Sequence, residues 1–226
     1  MGTESRHGAH RDSGHDAVRE SDKDAVRVSS NNAMRDLSND ASRGLLNDAA
    51  CVFAYGSNLC MARMLARVPS ARVVGVATLA GHDLRWHKAG RDGSGKCDAF
   101  FTGNDDDVVH GDVYAMTESG KRALDRFEGL GEHYAQKAVR VRLAERDAGS
   151  NRDAGPARWA DAAVYVALAH RIDAGAKPWS WYKAHVVTGA RQHGLPPAWI
   201  AKLEAVQARE DPDRERHDRE TAQREG

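Results

Sequence analysis

The sequence has little cysteine, no excess of either charge and no long apolar run. Its 226 residues include 33 Lys and Arg and 33 Asp and Glu, a balance that argues against a general polyanion binder, which needs a surplus of basic charge. No apolar stretch approaches the ~20 residues that span a bilayer. The first residues, MGTESRHGAHRD, lack the apolar core of a secretory signal. We therefore expect a protein that binds neither nucleic acid nor membranes.

The few cysteines also limit redox and metal chemistry. Cys51, Cys60 and Cys97 cannot all pair within one chain, and their spacing matches no zinc-ligand pattern. A reduced, cytoplasmic chain is the simplest interpretation. The 11 histidines contain no H-x-x-x-H pair and no H-E-x-x-H motif, so we expect no metal site. Cys60 and Cys97 could act as nucleophiles, although neither has a recognisable local setting.

Both ends of the chain are polar. In residues 1–50 an Asp-Ala-Val-Arg motif starts at Asp16 and recurs in related forms every eight residues up to Asp48. A period of eight fits neither a helix nor a heptad, so apolar positions would drift around any helix that formed. Residues 209–226 are highly charged and lack an apolar stripe. We therefore predict two disordered tails, with a partner-binding role for the first left open, around one domain at 51–208.

Within that domain, apolar runs and period-two alternation predict seven strands, and helical spacing predicts four helices. Many of the strands follow one another directly, which excludes a regular βαβ repeat. We expect an α+β fold with a mixed or antiparallel sheet, open or closed into a small barrel, flanked by about four helices. Gly111 is expected to form a bend or bulge. The predicted strands are 52–55, 72–80, 84–87, 99–101, 108–116, 138–143 and 162–169, and the predicted helices are 59–68, 118–128, 179–193 and 197–208.

A first candidate site lies where the first strand runs into a helix, at Tyr55-Gly56-Ser57-Asn58-Leu59. A helix start leaves several backbone N–H groups free, and they favour an anion or a polarised carbonyl oxygen. Gly56 allows a ligand to approach the backbone closely, and Ser57 or Asn58 could cap the helix. An ordinary N-capped turn would have the same sequence, so both interpretations stay open.

A second candidate is Glu128, at the end of a predicted helix between Phe127 and Gly129. A helix C-terminus disfavours negative charge, and burial disfavours it further. Such a carboxylate can take up a proton and return it. Alternatively, Glu128 simply faces solvent.

Several short motifs occur in order along the predicted domain. They are FAYGSNL, RVPSA at 67–71, DGSGK, GDVY at 111–114, LDRFEG, a tyrosine at 134, YVA at 165–167 and WYKAHVVTGARQHGLP. Their order resembles the γ-glutamylcyclotransferase family over about residues 52–207. The resemblance implies a small mixed β-barrel flanked by helices and an amide-cleaving acyltransferase or lyase of glutathione-type metabolism that needs no cofactor. In the reaction that the resemblance implies, the free α-amine of a γ-glutamyl group attacks its own γ-carbonyl and releases 5-oxoproline and an amine.

The resemblance also implies roles for individual residues. Glu128 matches the family's catalytic glutamate, which acts as general base and then general acid. Backbone N–H groups of Gly56, Ser57 and Asn58 would hold either the carbonyl oxygen or the α-carboxylate. Tyr182 would point into the site, although a core aromatic beside two tryptophans is the alternative. The substrate-binding residues predicted in this way are Phe53, Ala54, Tyr55, Gly56, Ser57, Asn58, Tyr134 and Tyr182.

Three functions remain open at this point. The chain could act on a small γ-glutamyl amino acid or amine, it could deprotect a larger γ-glutamyl conjugate, or it could be a non-catalytic member of the same fold that binds a small molecule. A glutathione-specific enzyme is less expected, because that group has a different glycine-loop pattern. No motif marks the leaving amine or the oligomeric state.

Overall fold

A computed structural model describes residues 49–145 and 157–225. The octad-repeat segment up to Asp48 and most of the stretch 146–158 between the last two predicted strands lie outside the described residues. Among the helices that are described, none is long and apolar enough to cross a membrane.

The described strands are β1 Ala50–Ala54, β2 Arg72–Ala80, β3 His82–Ala89, β4 Gly95–Phe101, β5 Val108–Met116, β6 Tyr134–Leu143 and β7 Trp159–Ala167. Five of them form a closed barrel in the order β1-β5-β2-β6-β7. A parallel contact between β1 and β7, at Val52 and Ala163, closes the barrel, and the other barrel pairs are antiparallel. The strands β3 and β4 form a separate two-stranded sheet.

Within the described residues, five α-helices flank the barrel, so the predicted α+β class with a mixed barrel is confirmed. Leu59, Met64 and Leu124 are fully buried, and their side chains pack in the hydrophobic core. Their burial removes apolar surface from water, which is the main favourable contribution to folding. The helices are α1 Met61–Arg67, α2 Glu118–Glu128, α3 Ser180–Gln192, α4 Pro197–Glu204 and α5 Arg214–Glu225, with 3-10 turns at Ser57–Leu59 and Ala169–Arg171.

Gly111 does not form the expected bend or bulge. It pairs in register with Ala77, and a Cβ atom there would lie 2.2 Å from the Ala54 carbonyl oxygen and 2.8 Å from the Phe53 ring. Glycine is therefore required at position 111, because the end of β1 approaches its paired strand β5 too closely there for a side chain. The register shift in β2 instead lies between Val73 and Gly75.

The prediction that residues 209–226 are disordered is wrong for the described residues 209–225. Ser180 N–H donates to the Arg209 carbonyl (2.8 Å), and the Asp211 carboxylate accepts from Trp181 Nε1 (2.8 Å). Arg63 on α1 donates to Glu220 on α5 (2.6 Å). Hydrogen bonds and ion pairs hold the C-terminal helix Arg214–Glu225 against its neighbours, so it needs no apolar stripe. A search for hydrophobic periodicity does not detect such polar contacts.

Candidate active site

The predicted helix after β1 begins as a 3-10 turn. Leu59 N–H donates to the Gly56 carbonyl (3.0 Å) and Cys60 N–H donates to the Ser57 carbonyl (3.2 Å), and α1 starts only at Met61. Neither Ser57 nor the residues beside it cap the turn through a side chain. The N–H groups of Ser57 and Asn58 precede the first bonded N–H of the turn, so they are available to a ligand.

Gly56 lies against two other elements of the site. A Cβ atom on Gly56 would be 3.1 Å from Cys97 Cβ and 3.4 Å from the Tyr182 hydroxyl oxygen. Cys97 lies on β4 and Tyr182 on α3. Gly56 therefore lets the turn, the small sheet and α3 meet at one place.

Glu128 is the last residue of α2, and Gly129 ends the helix with a φ of 63°, a conformation that glycine adopts without strain. The Glu128 side chain is only 14% exposed, whereas Phe127 beside it is 58% exposed. The helix thus turns Glu128 inward and leaves Phe127 at the rim.

Glu128 belongs to a hydrogen-bonded cluster of three side chains. Its Oε1 atom accepts from Asn58 Nδ2 (2.8 Å) and from Arg67 Nη1 (3.4 Å). The same Arg67 nitrogen donates to Asn58 Oδ1 (2.8 Å). Arg67 places a positive charge beside the Glu128 carboxylate, and the Asn58 amide fixes the orientation of this carboxylate. The cluster therefore joins the first candidate site to the second.

Two tyrosines hold the backbone of Cys97 between them. Cys97 N–H donates to the Tyr182 hydroxyl (3.1 Å), and the Tyr134 hydroxyl donates to the Cys97 carbonyl (3.0 Å). Tyr55 donates in a similar way to the Tyr165 carbonyl. Burial raises the pKa of Tyr55, Tyr134 and Tyr182 well above the usual value. These phenols are therefore neutral hydrogen-bonding groups.

Burial also decides the role of the Cys97 thiol. It raises the pKa of this thiol to about 12, so the thiolate needed for nucleophilic attack is scarce at neutral pH. The possibility that Cys97 is a nucleophile is therefore not supported.

These groups surround an inner hollow of about 40 Å³ that opens beside an outer hollow of about 410 Å³. Ser57, Glu128, Tyr134 and Tyr182 line both. The inner hollow brings together every residue predicted for the site, and their individual roles stay predictions. It is lined by Val52, Phe53, Ala54, Tyr55, Gly56, Ser57, Asn58, Cys97, Glu128, Tyr134, Tyr165 and Tyr182.

The family model described as gamma-glutamyl cyclotransferase, AIG2-like, matches residues 52–182. The chain belongs to this family.

Two solved structures with this fold are similar along most of their length. A structure named gamma-glutamyl cyclotransferase is 25% identical with a TM-score of 0.64, and the match covers 77% of this chain and 99% of that one. An uncharacterized protein from Homo sapiens is 27% identical with a TM-score of 0.60, and the match covers 72% and 90%. No curated protein matches the sequence.

The outer hollow of this gamma-glutamyl cyclotransferase family member contains residues that the sequence did not single out. Arg67 belongs to the RVPSA motif, but no local pattern shows that it reaches Glu128. Asp92 and Lys96 lie at the DGSGK turn, and Lys96 Nζ donates to Asp92 Oδ2 (2.7 Å). Lys88 carries no sequence signal at all. The remaining lining residues include Arg63, Arg91, Arg126, His133, Trp181, Arg216 and Glu220.

Proposed function

We propose that this protein is a γ-glutamylcyclotransferase that releases 5-oxoproline and an amine without hydrolysis, with Glu128 as the general base and acid. The observation that supports this most directly is the placement of Glu128. Its carboxylate is largely buried, lines the inner hollow and bonds to Asn58 of the glycine turn. A proton carrier thus lies beside main-chain donors in one enclosed place.

The chemistry needs two proton transfers at one carboxylate. Glu128 takes a proton from the α-ammonium of the γ-glutamyl group, and the free amine forms a bond to the γ-carbonyl carbon. Collapse of the tetrahedral intermediate breaks the bond to the leaving amine, which takes the proton from Glu128. The ring nitrogen, which still carries one proton too many after the attack, loses it through Glu128 to the released amine. The products are the neutral five-membered lactam and the amine as its ammonium form, and Glu128 ends as it began.

The oxygen of the tetrahedral intermediate carries negative charge and needs fixed donors. The Ser57 and Asn58 N–H groups supply such donors, either to this oxygen or to the α-carboxylate of the substrate. Since the attack is intramolecular, the other requirement is to hold the γ-glutamyl chain folded with its amine near the carbonyl. The crowded turn around Gly56 suits that task, because Cys97 and Tyr182 lie against it.

The size of the outer hollow favours a second candidate, a deprotecting cyclotransferase that acts on a larger γ-glutamyl conjugate. A volume of about 410 Å³ falls within the ~300–1,000 Å³ of typical small-molecule sites. It could accommodate a leaving amine larger than a simple amino acid while the ring closes in the inner hollow.

The test is to incubate the full chain with γ-glutamyl dipeptides, γ-glutamyl amines, glutathione and a bulky γ-glutamyl conjugate, and to measure 5-oxoproline and free glutamate. We expect 5-oxoproline from at least one substrate. Glutamate as the main product would mean hydrolysis and would contradict the mechanism. Binding of these compounds without any product would favour the non-catalytic binding alternative.

A further inference from the structure

Lys88 on β3 is a buried cation at the edge of the outer hollow. The residue is 5% exposed, and its Nζ atom lies 4.7 Å from the centre of the Tyr134 ring. It stands opposite Lys96 in the β3–β4 pair, an arrangement that like charges disfavour. Lys88 lines the outer hollow but not the inner one.

Lys88 makes no ion pair within the described part of the chain, whereas five of the other six basic residues that line the outer hollow do. Burying an ammonium group without a close counter-ion is costly. Its ammonium group lies over the face of Tyr134, which offers a weaker attraction than a carboxylate does, and Glu128 and Asp92 attract it without forming an ion pair. The partnered neighbours are Arg63 with Glu220, Arg67 with Glu128, Arg91 with Glu132, Lys96 with Asp92 and Arg216 with Asp211.

The electrostatic surroundings agree with this view of Lys88. Desolvation lowers its pKa to about 8, with Lys96 and Arg171 acting in the same direction and Glu128 and Asp92 opposing them. The ammonium form therefore still dominates at neutral pH, and an anion beside it would stabilise that form. The lining of the outer hollow as a whole contains seven Lys or Arg and three Asp or Glu, which disfavours a cationic ligand.

We propose that Lys88 binds an anionic group on the leaving amine and so selects γ-glutamyl amides of acidic amines over those of neutral or cationic amines. The inference rests on the proposed function. It assigns the anion to the leaving amine because Glu128 and the glycine turn meet at the inner hollow, where the ring closes, whereas Lys88 faces only the outer one. Lys88 is thereby a specificity-determining residue, and the proton transfers do not involve it.

The first experiment compares kcat/KM for γ-glutamyl-alanine and γ-glutamyl-alaninamide, which differ only in the negative charge. We expect the wild-type protein to favour the acid by roughly ten- to hundredfold, as a hydrogen bond to a charged group predicts. Lys88→Met should bring the ratio close to one, because kcat/KM for the acid falls much more than kcat/KM for the amide. Lys202→Met is the matched control, since Lys202 lies on α4, is 55% exposed and should leave the ratio as in the wild type.

The second experiment measures binding without turnover. Glutaryl-alanine and glutaryl-alaninamide lack the attacking amine and keep the terminal carboxylate, so calorimetry on the wild-type chain reads the anion site even if Lys88→Met were to misfold. Tighter binding of glutaryl-alanine is expected. Equal affinities of the wild-type chain for the two ligands would overturn the proposal. An equal loss of affinity for both ligands in Lys88→Met would also overturn it, because Lys88 would then bind the terminal carboxylate of the glutaryl group, which both ligands share.

The two proposals can fail separately. Absence of 5-oxoproline with every γ-glutamyl probe would contradict the proposed cyclotransferase activity, while the glutaryl pair would still decide whether Lys88 binds an anion. Conversely, turnover of both γ-glutamyl probes at equal rates would support the cyclotransferase and reject the selectivity assigned to Lys88.

Discussion

The Asn58 amide nitrogen lies 2.8 Å from the Glu128 carboxylate, across 70 positions of sequence. Arg67 donates to both side chains. The glycine turn and the end of α2 are therefore held together by side chains of the site itself. A substitution at Asn58 that removes these hydrogen bonds will therefore displace the Glu128 carboxylate.

Replacement of Glu128 by Gln should abolish most of the activity and preserve the fold. The amide oxygen of Gln can still accept from Asn58, but the side chain no longer carries protons. We expect a loss of roughly 10²–10⁴-fold in kcat, the range that general acid–base catalysis supplies. The measurement is 5-oxoproline formation with the best substrate, alongside thermal unfolding. A variant with nearly full rate would reject Glu128 as the proton carrier.

Replacement of Asn58 by Asp should lower kcat through misplacement of Glu128. The substitution keeps the side-chain shape but removes the Nδ2 donor and sets two carboxylates against each other. A displacement near 1 Å can cost about 10²-fold in rate. Asn104→Asp is the control, because Asn104 is exposed and acts there through its side-chain oxygen, which accepts from Asp106 N–H. Unchanged kcat in Asn58→Asp would show that the amide does not position Glu128.

Replacement of Gly56 by Ala should impair the site through steric contact. The new methyl group would meet Cys97 Cβ at 3.1 Å and the Tyr182 hydroxyl at 3.4 Å, so the turn or the small sheet must shift. We expect a fall in kcat/KM of about 10²-fold. Gly175→Ala is the matched control, since the only atom near its methyl group is an Asp173 carboxylate oxygen at 3.4 Å. Equal activity of the two variants would show that the close approach at Gly56 is unimportant.

Replacement of Asp211 by Asn should destabilise the protein. Arg216 and then Trp181 and the Asp213 N–H hold the pKa of Asp211 well below its usual range. Because the folded pKa is lowered, the stabilisation is complete above the unfolded value near 4 and is lost as pH falls below it. We expect a loss of about 2 kcal/mol at neutral pH, measured by urea unfolding.

The difference between Asp211→Asn and the wild type should shrink at acidic pH. Asp218→Asn, at an exposed position of α5, serves as the control and should change stability little. A loss of stability that is constant down to strongly acidic pH would contradict the role of the Asp211 charge.

The preference for acidic leaving amines should depend on pH through Lys88. Lys88 is cationic below its pKa of about 8, so the preference should be complete at lower pH and fade as pH rises through 8. The ratio of kcat/KM for γ-glutamyl-alanine and its amide reports this change for the free enzyme, because pH-dependent steps that the two substrates share cancel in the ratio. A ratio that stays constant well above pH 8 would contradict the prediction.

The sequence predicted β2 and β5 to the residue and the other strands, in the barrel and in the small sheet, less closely. The predicted bounds of β2 and β5 coincide with the observed ones, because both are apolar strands with clear turns around them. By contrast, β4 begins at Gly95, four residues before the prediction. Its first half carries Lys96, which packs over the Trp181 and Tyr182 rings, and the buried Asp98, which accepts from His87. Buried polar residues hide a strand from a search for apolar alternation.

The site was predicted in its parts but not in its connections. The glycine turn and Glu128 each stood out through local sequence and family resemblance. The bonds from Asn58 and Arg67 to Glu128 join positions 70 and 61 residues apart, and no local pattern encodes such contacts. The burial of Lys88 is similar, since it depends on how the small sheet packs against β5 and β7 and brings Lys88 over the Tyr134 ring.

Tyr134 and Tyr182 bond to the main-chain carbonyl and N–H of residue 97, and Tyr182 also interacts with the Cys97 side chain. A side chain of similar volume that keeps a polar atom at the position of the sulfur would preserve all of these contacts. Serine in place of Cys97 should leave the width of the cleft as it is, so the spacing between the glycine bend and the facing hairpin is a property of peptide geometry and of Tyr134 and Tyr182.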